Sequence, residues 1–336
     1  PVAPPAGDRV VSVVQFERRA VADYHSVERL FQTLRRALLP IADVQSQVCT
    51  EVSRGILPRW RNLRWVKRAA ARVNHVVGDV HYLALGLPRE RTLLTVHDCV
   101  ALQRTGTLKR AVLRKLYFQW PVRRAHIVTT ISQTTKDELV RETGCDPAKI
   151  RVVPNCVSDI FRHTPRELSA TPNVLIVGTL PHKNLERMAE ALQPLGGRLH
   201  IVGRLTGQQR ELLARLGAEY KNECDLTPDR MAAAYRDCDI VGFASLYEGF
   251  GMPILEGQAT GRAVLTSNLS SMPEVAGDGA CLVDPQDTAA IRAGFERVIQ
   301  DTAYRNGLIE KGLENARRYS PARIAEMYAQ IYRELA

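Results

Sequence analysis

Short apolar runs separated by amphipathic stretches recur along this chain. Residues 10–14, 73–77, 92–96 and 127–130 are dense in apolar and β-branched side chains, as strands buried on both faces are, whereas 27–39, 108–118 and 134–143 carry apolar residues at helical spacing. Strands alternating with helices predict parallel sheets joined by right-handed crossovers. The series restarts with strands at 173–178, 199–203 and 240–244, and residues 159–172, with Pro165 and Pro172 but no period, read as the linker. At 336 residues the chain exceeds what one core usually supports. The expected architecture is therefore α/β with two doubly wound, Rossmann-like domains, 1–160 and 161–320, and a last helix within 321–336.

Composition changes this picture little, but charge does. Hydrophobic residues at 45% and charged residues at 24% are ordinary for a globular protein. No apolar stretch reaches the roughly 18 to 20 residues that span a bilayer, and no signal peptide stands in these residues, although a chain beginning at Pro1 leaves a preceding leader open. Seven scattered cysteines without a C-x-x-C pair read as reduced thiols of a cytoplasmic protein rather than a zinc site. The formal charge of +10 divides into +13 over residues 1–165 and −3 over the rest, which points to an anionic partner for the first half. Two basic tracts there, 56–68 and 109–124, interleave cations with tryptophans and aliphatics, the composition of a segment lying on an anionic membrane surface; an ordinary helix with a core-facing stripe is the alternative.

The chemistry concentrates after the strand at 240–244. Pro253 suits the first position of a helix, and Glu248-Gly249-Phe250-Gly251-Met252 forms the loop leading into it. The glycines let the backbone approach a ligand, and the N–H groups of the first helical turn face an anion. Glu248 before this site and Glu256 in the first turn are placed to accept hydrogen bonds from hydroxyls, which fits a phosphorylated sugar. Glu256 could alternatively only complement the helix dipole, worth ~0.3–1 kcal/mol, or the two could be the acid and base of a glycosidase.

Glu248 to Glu256 reads E-G-F-G-M-P-I-L-E, and in this the chain resembles the retaining glycosyltransferases of family 4, whose donor site holds two acidic residues separated by seven others. The resemblance continues in order through Thr95-Val96-His97-Asp98, Thr130-Ile131-Ser132, Ile150 to Asn155, Val177 to Asn184, Ile201 to Arg204, Thr266-Ser267-Asn268, Pro273-Glu274-Val275 and Leu282 to Pro285, covering most of the chain from residue 79 onward. It implies the GT-B arrangement, two Rossmann-like domains facing across a cleft, with the acceptor on 1–160, the nucleotide-sugar donor on 161–320 and the final helix crossing back to the first domain. It also implies metal-independent, retaining hexosyl transfer that needs no cofactor. Overall likeness to enzymes of bacterial surface-polysaccharide assembly, including Tyr24-His25-Ser26-Val27-Glu28-Arg29, implies a lipid-linked or polysaccharide acceptor and a cytoplasmic enzyme peripheral to the inner face of the membrane.

The expected roles follow from that reaction. Lys183, after the strand at 173–178, stabilises the departing diphosphate, and Arg204 is a second candidate cation or a surface residue. Thr179, Asn184 and the 249–252 loop complete the donor pocket that the resemblance implies. Glu256 is assigned to the ribose and Glu248 to the transferred sugar. His97, at a strand end, is placed near the reacting sugar, against the alternative of a buried histidine bonded to backbone with Asp98 capping a helix. The chain departs from the family pattern in two places: His182 stands where an arginine often precedes the lysine, and Gln15-Phe16-Glu17-Arg18-Arg19 replaces the glycine-rich loop after the first strand. Two rival readings remain, a nucleic-acid-binding protein using the basic half and a GT-B-like scaffold without catalysis; the donor-site motifs count against both, and no nucleic-acid partner is expected.

Overall fold

The computed structural model describes residues 11–19, 26–103 and 107–336; the Pro-rich start, Val10 and Tyr24-His25 lie outside the described residues. The chain divides into two units, one of residues up to Cys156 together with Pro321–Ala336, the other Val157–Ser320. The division falls four residues before the expected boundary at 160. The expected linker also belongs to the second unit, where Arg166 Nε pairs with Asp239 Oδ1 at 2.7 Å and Asn173 N donates to Asp239 Oδ2 at 2.8 Å.

The first unit contains β1 (Val11–Glu17), β2 (Ala42–Val48), β3 (Val73–Val76), β4 (Thr92–Val96), β5 (Ile127–Thr130) and β6 (Ile150–Val152), in the order β2-β1-β3-β4-β5-β6. The second contains β7 (Asn173–Val177), β8 (Arg198–Val202), β9 (Tyr220–Glu223), β10 (Ile240–Phe243), β11 (Ala263–Ser267) and β12 (Cys281–Val283), in the order β12-β11-β10-β7-β8-β9. All pairings in both sheets are parallel. Successive crossovers leave β1 toward opposite sides, and the same holds for β7. Each sheet therefore has a switch point, between β1 and β3 and between β7 and β10, where the loops beyond the carboxyl ends of the strands part and leave a crevice.

Burial explains which strands the sequence pattern reaches. Central strands such as β4 and β10 are buried at every position, so they read as apolar runs. Edge strands β2 and β9, largely exposed and carrying Asp43, Gln45, Lys221 and Glu223, lack that signal. The expected helix at 108–118 is a composite: Thr107–Leu113, a wider π turn at Arg114–Gln119, then Trp120–Arg124. The basic tract at 56–68 forms the helix Ile56–Ala69, which buries Asn62 and Val66.

The last helix, Pro321–Leu335, packs within the first unit on the helix Ser26–Leu38 and buries Ile324, Tyr328 and Tyr332. A polar chain fixes it to the sheet. Gln15 Nε2 donates to Tyr332 Oη at 3.0 Å, His75 Nδ1 meets the same hydroxyl at 2.7 Å, and His75 Nε2 meets Thr95 Oγ1 at 2.7 Å. Burial holds the His75 imidazole well below its ordinary pKa, so the network is one of neutral partners.

Candidate active site

The second unit gathers most of the expected donor residues at its switch point. Lys183 follows β7 and Glu248 follows β10, and Lys183 Nζ lies 2.7 Å from Glu248 Oε1 with both side chains mostly enclosed. The aliphatic stem of Lys183 runs across Gly178, whose φ of 97° suits glycine; a Cβ there would stand 3.0 Å from Lys183 Cγ and Cε. The ammonium also sits 4.8 Å from the Phe243 ring centroid. The lysine is thus steered into the crevice by the strand ends themselves.

The 245–251 loop is braced from two directions. Leu246 N donates to His182 O at 2.8 Å, tying it to the Lys183 turn. Ser270 and Ser271 hydroxyls donate to Glu248 O at 2.6 and 2.9 Å, and Ser271 also reaches Phe250 O at 2.9 Å. Sequence reading missed these two serines, which sit between the stretches 266–268 and 273–275. Asn184 is buried at positive φ, and its Nδ2 donates to Ala244 O at 2.9 Å and Pro285 O at 2.7 Å; in the structure it positions the loop. Thr179 Oγ1 donates to Arg204 O at 2.7 Å. The Phe250 side chain is buried, edge-on to Tyr319 at 5.9 Å. The hydroxyl of Ser245, at the end of β10, is buried without a hydrogen-bond partner.

The helix begins one residue earlier than expected. It spans Met252–Thr260, with Gly251 as N-cap at a φ of 106° and no side-chain cap. Pro253 is accordingly its second residue, and Glu256 falls in the second turn, outside the reach of the helix-dipole effect that would need no ligand. Glu256 instead meets Tyr235 on the helix Pro228–Asp237: Tyr235 Oη donates to Glu256 Oε2 at 2.5 Å. Burial pushes the Glu256 carboxyl up to about 7, against the opposing effects of the Tyr235 hydrogen bond and the Lys183 charge. Burial and the adjacent carboxylate hold the Tyr235 phenol well above its ordinary value, so the phenol remains the donor.

Arg204 stands two residues beyond the end of β8. Its guanidinium pairs with Asp225 Oδ2 at 3.1 Å in a largely exposed contact, an interaction that costs little to give up. A separate polar cavity of about 420 Å³, lined by Arg166, Asp239, Arg262 and Arg305, opens at the amino ends of β10 and β11. Its guanidiniums already bond Asp239 or backbone carbonyls, and it lies at the opposite end of these strands from the Lys183–Glu248 crevice.

The first unit repeats the construction. Arg18 follows β1 and Asp79 follows β3, and at that switch point Arg18 Nη1 lies 2.7 Å from Asp79 Oδ2 while Arg18 Nε bonds Glu28 Oε1 at 2.7 Å. Asp79 did not stand out in the sequence, and Arg18 appeared there only within the Gln15–Arg19 stretch that replaces the glycine-rich loop. His97 is buried beyond β4; its Nε2 bonds Val77 O at 2.9 Å, and Asp98 Oδ1 accepts from Val100 N at 3.0 Å. This is the backbone-bonded arrangement weighed above as the alternative, and it directs Nδ1 away from Val77.

Known proteins share both the sequence and the fold. A family described as "Glycosyltransferase Family 4" matches residues 36–159, and one described as "Glycosyl transferases group 1" matches 171–301. O-antigen chain mannosyltransferase B of Escherichia coli is 29% identical over 218 residues, 58% of this chain and 57% of that protein. D-inositol 3-phosphate glycosyltransferase of Corynebacterium efficiens is 25% identical over 292 residues, covering 76% and 69% of the two chains. This chain spans only 29% of the serotype-specific mannosyltransferase WbdA of Escherichia coli, at 26% identity. Among solved structures, Anabaena HepE in complex with UDP and glucose superposes with a TM-score of 0.79 at 16% identity, over 96% of this chain and 99% of that one. WaaG, a glycosyltransferase involved in lipopolysaccharide biosynthesis, superposes with a TM-score of 0.72 at 13% identity, over 96% and 99%. With one glycosyltransferase family model matched in each unit and the two-sheet architecture shared almost end to end, the chain carries a glycosyltransferase family 4 domain and a glycosyl transferases group 1 domain in a GT-B fold.

Proposed function

We propose that this chain transfers a sugar from a nucleotide-sugar to a lipid-linked or polysaccharide acceptor, with retention of anomeric configuration and without a divalent cation. The observation that carries the reading is the meeting of Lys183 and Glu248 at the β7–β10 switch point, beside an uncapped helix start. Lys183 Nζ and the backbone amides entering the Met252–Thr260 helix offer a fixed positive field to a diphosphate whose charge grows as the glycosidic bond breaks. Glu248 accepts hydrogen bonds from the transferred sugar and Glu256 from the ribose. In the front-face mechanism a donor phosphate oxygen takes the proton of the acceptor hydroxyl as that hydroxyl's oxygen bonds to the anomeric carbon. No protein base is then required. His97 and Arg204 remain proposed contributors by resemblance, the former beside the reacting sugar and the latter on the diphosphate.

Several relatives are named mannosyltransferases, so nucleotide-linked mannose is the first donor to test. Thermal-shift and turnover assays against a panel of nucleotide-sugars identify the donor. Loss of transfer on adding EDTA, restored by Mg²⁺ or Mn²⁺, would refute the metal-free mechanism.

A second reading concerns location. No helix among the described residues is long and apolar enough to cross a membrane. Yet the helix Ile56–Ala69 leaves Ile56 85%, Leu57 68% and Trp60 51% exposed, with Arg61, Arg64 and Lys67 on the same outward face. Val112, Leu116 and Trp120, four residues apart on the neighbouring composite helix, are exposed too, and Arg59 reaches across to the Tyr117 ring at 5.8 Å. Apolar side chains among cations suit an anionic bilayer surface, and the reading is that the first unit docks there.

A further inference from the structure

The candidate donor carboxylate Glu256 is held by one side chain that no sequence motif marks. Tyr235 is completely buried near the carboxyl end of the helix Pro228–Asp237, where Arg262 Nε donates to its carbonyl at 2.9 Å and Phe161 packs edge-on against its ring at 5.2 Å. Ring and backbone are therefore each held by a neighbour. Its one polar atom is aimed at Glu256 Oε2, 2.5 Å away. A packed phenol that donates to a carboxylate favours one orientation of it, engages Oε2, and leaves Oε1 for other partners.

We propose that Tyr235 is a positioning residue for ribose recognition, orienting Glu256 so that its second oxygen accepts from the ribose hydroxyls of the donor nucleotide. The proposal rests on the assignment of Glu256 to the ribose. It adds that the geometry of that contact is set from beneath, by a residue that never touches the ligand. Carboxylate orientation matters here because a vicinal diol is bound by hydrogen bonds whose strength falls steeply with angle. Tyr235 also favours the ionised, accepting form of Glu256, as does the charge of Lys183, while burial opposes it.

The test uses Tyr235→Phe, which keeps the ring packing on Phe161, and pairs each ribonucleoside diphosphate with its 2′,3′-dideoxy counterpart. The wild-type protein is first titrated calorimetrically with uridine, guanosine and adenosine diphosphates, and the tightest of these is carried forward with its dideoxy analogue. The expected result is that Tyr235→Phe weakens the ribonucleotide about tenfold, the scale of one hydrogen bond to a charged group, and leaves the dideoxy analogue within about twofold. An equal loss for both analogues would mean that Tyr235 supports the fold generally, and would overturn the proposal. If the wild-type protein does not distinguish ribonucleotide from dideoxynucleotide, the assignment of Glu256 to the ribose fails first, and the proposal with it. A second variant guards against a folding defect. In a Glu256→Ala background the phenol has no carboxylate to orient, so adding Tyr235→Phe should change ribonucleotide affinity by less than about twofold. A full additive loss in that background would contradict the proposal.

Discussion

Lys183 Nζ and Glu248 Oε1, one from each side of the β7–β10 switch point, lie 2.7 Å apart and satisfy each other before any ligand arrives. A diphosphate must therefore compete with Glu248 for the ammonium. Glu248→Gln should strengthen binding of the free nucleoside diphosphate by about fivefold, since an ion pair on the order of 1 kcal/mol no longer has to be broken. It should also lower transfer, because the sugar loses an acceptor. Lys183→Ala should weaken the same nucleotide by more than tenfold, from ~1.5–3 kcal/mol of charge-assisted hydrogen bonding. Calorimetry that found both variants weakened alike would refute this competition.

Glu256 links the site to pH. Its carboxyl rises from an ordinary 4.5 to about 7 in the folded chain through burial, with Tyr235 and Lys183 the groups that face it and pull the other way. A raised acid pKa means the folded state binds the proton more tightly than the unfolded one. The contribution to stability is fully present below about 4.5 and is lost as pH rises to about 7. Glu256→Gln, which keeps an acceptor for Tyr235, should raise the melting temperature of the ligand-free protein by several degrees at pH 8 and hardly at all near pH 4.5. The upper bound is ~3 kcal/mol at 1.36 kcal/mol per pKa unit, reduced because the residue keeps partial exposure. An equal gain at both pH values would show that ionisation is not the cause.

Asp79 should act on the acceptor side. It stands at the switch point of the first unit with Arg18, in the place Glu248 and Lys183 hold in the second. Asp79→Asn should leave nucleoside diphosphate affinity within about twofold while lowering transfer roughly tenfold or more, the scale of a lost charged hydrogen bond. Steady-state transfer and calorimetry on the same preparation check it, and an unchanged transfer rate would remove Asp79 from the site.

Vesicle binding should depend on the outward face of the Ile56–Ala69 helix. Replacing Arg61, Arg64 and Lys67 together should abolish co-sedimentation with anionic vesicles, at on the order of 1 kcal/mol per cation, and high salt should do the same. Trp60→Ser should weaken binding to anionic vesicles without changing its salt dependence. Equal binding to neutral and anionic vesicles would contradict the surface assignment.

How far the sequence foretold this structure depended on where each residue's signal lay. Buried central strands announced themselves as apolar runs, and β4 and β5 match their expected bounds, because both faces are covered. Edge strands β2 and β9, half in water, could carry Asp, Gln, Lys and Glu and so gave no run. Within the site, residues on one contiguous loop were legible: Glu248 and Lys183 were each marked by a strand end and a glycine. Tyr235, Ser270 and Asp79 were not, since each acts through a contact that exists only once distant segments meet. The one-residue shift of the helix start at Gly251 came from its left-handed cap, which a following proline does not reveal.

The Lys183–Glu248 crevice is expected to bind and turn over a nucleotide-sugar. The most direct test is release of nucleoside diphosphate from each of a panel of nucleotide-sugars, with and without EDTA, for the wild-type protein and for Lys183→Ala. Release from one donor is expected, faster with a membrane-derived glycan acceptor, insensitive to EDTA and reduced at least tenfold in Lys183→Ala. Folded wild-type protein that releases nucleoside diphosphate from none of them, or a Lys183→Ala variant as fast as wild type, would contradict it.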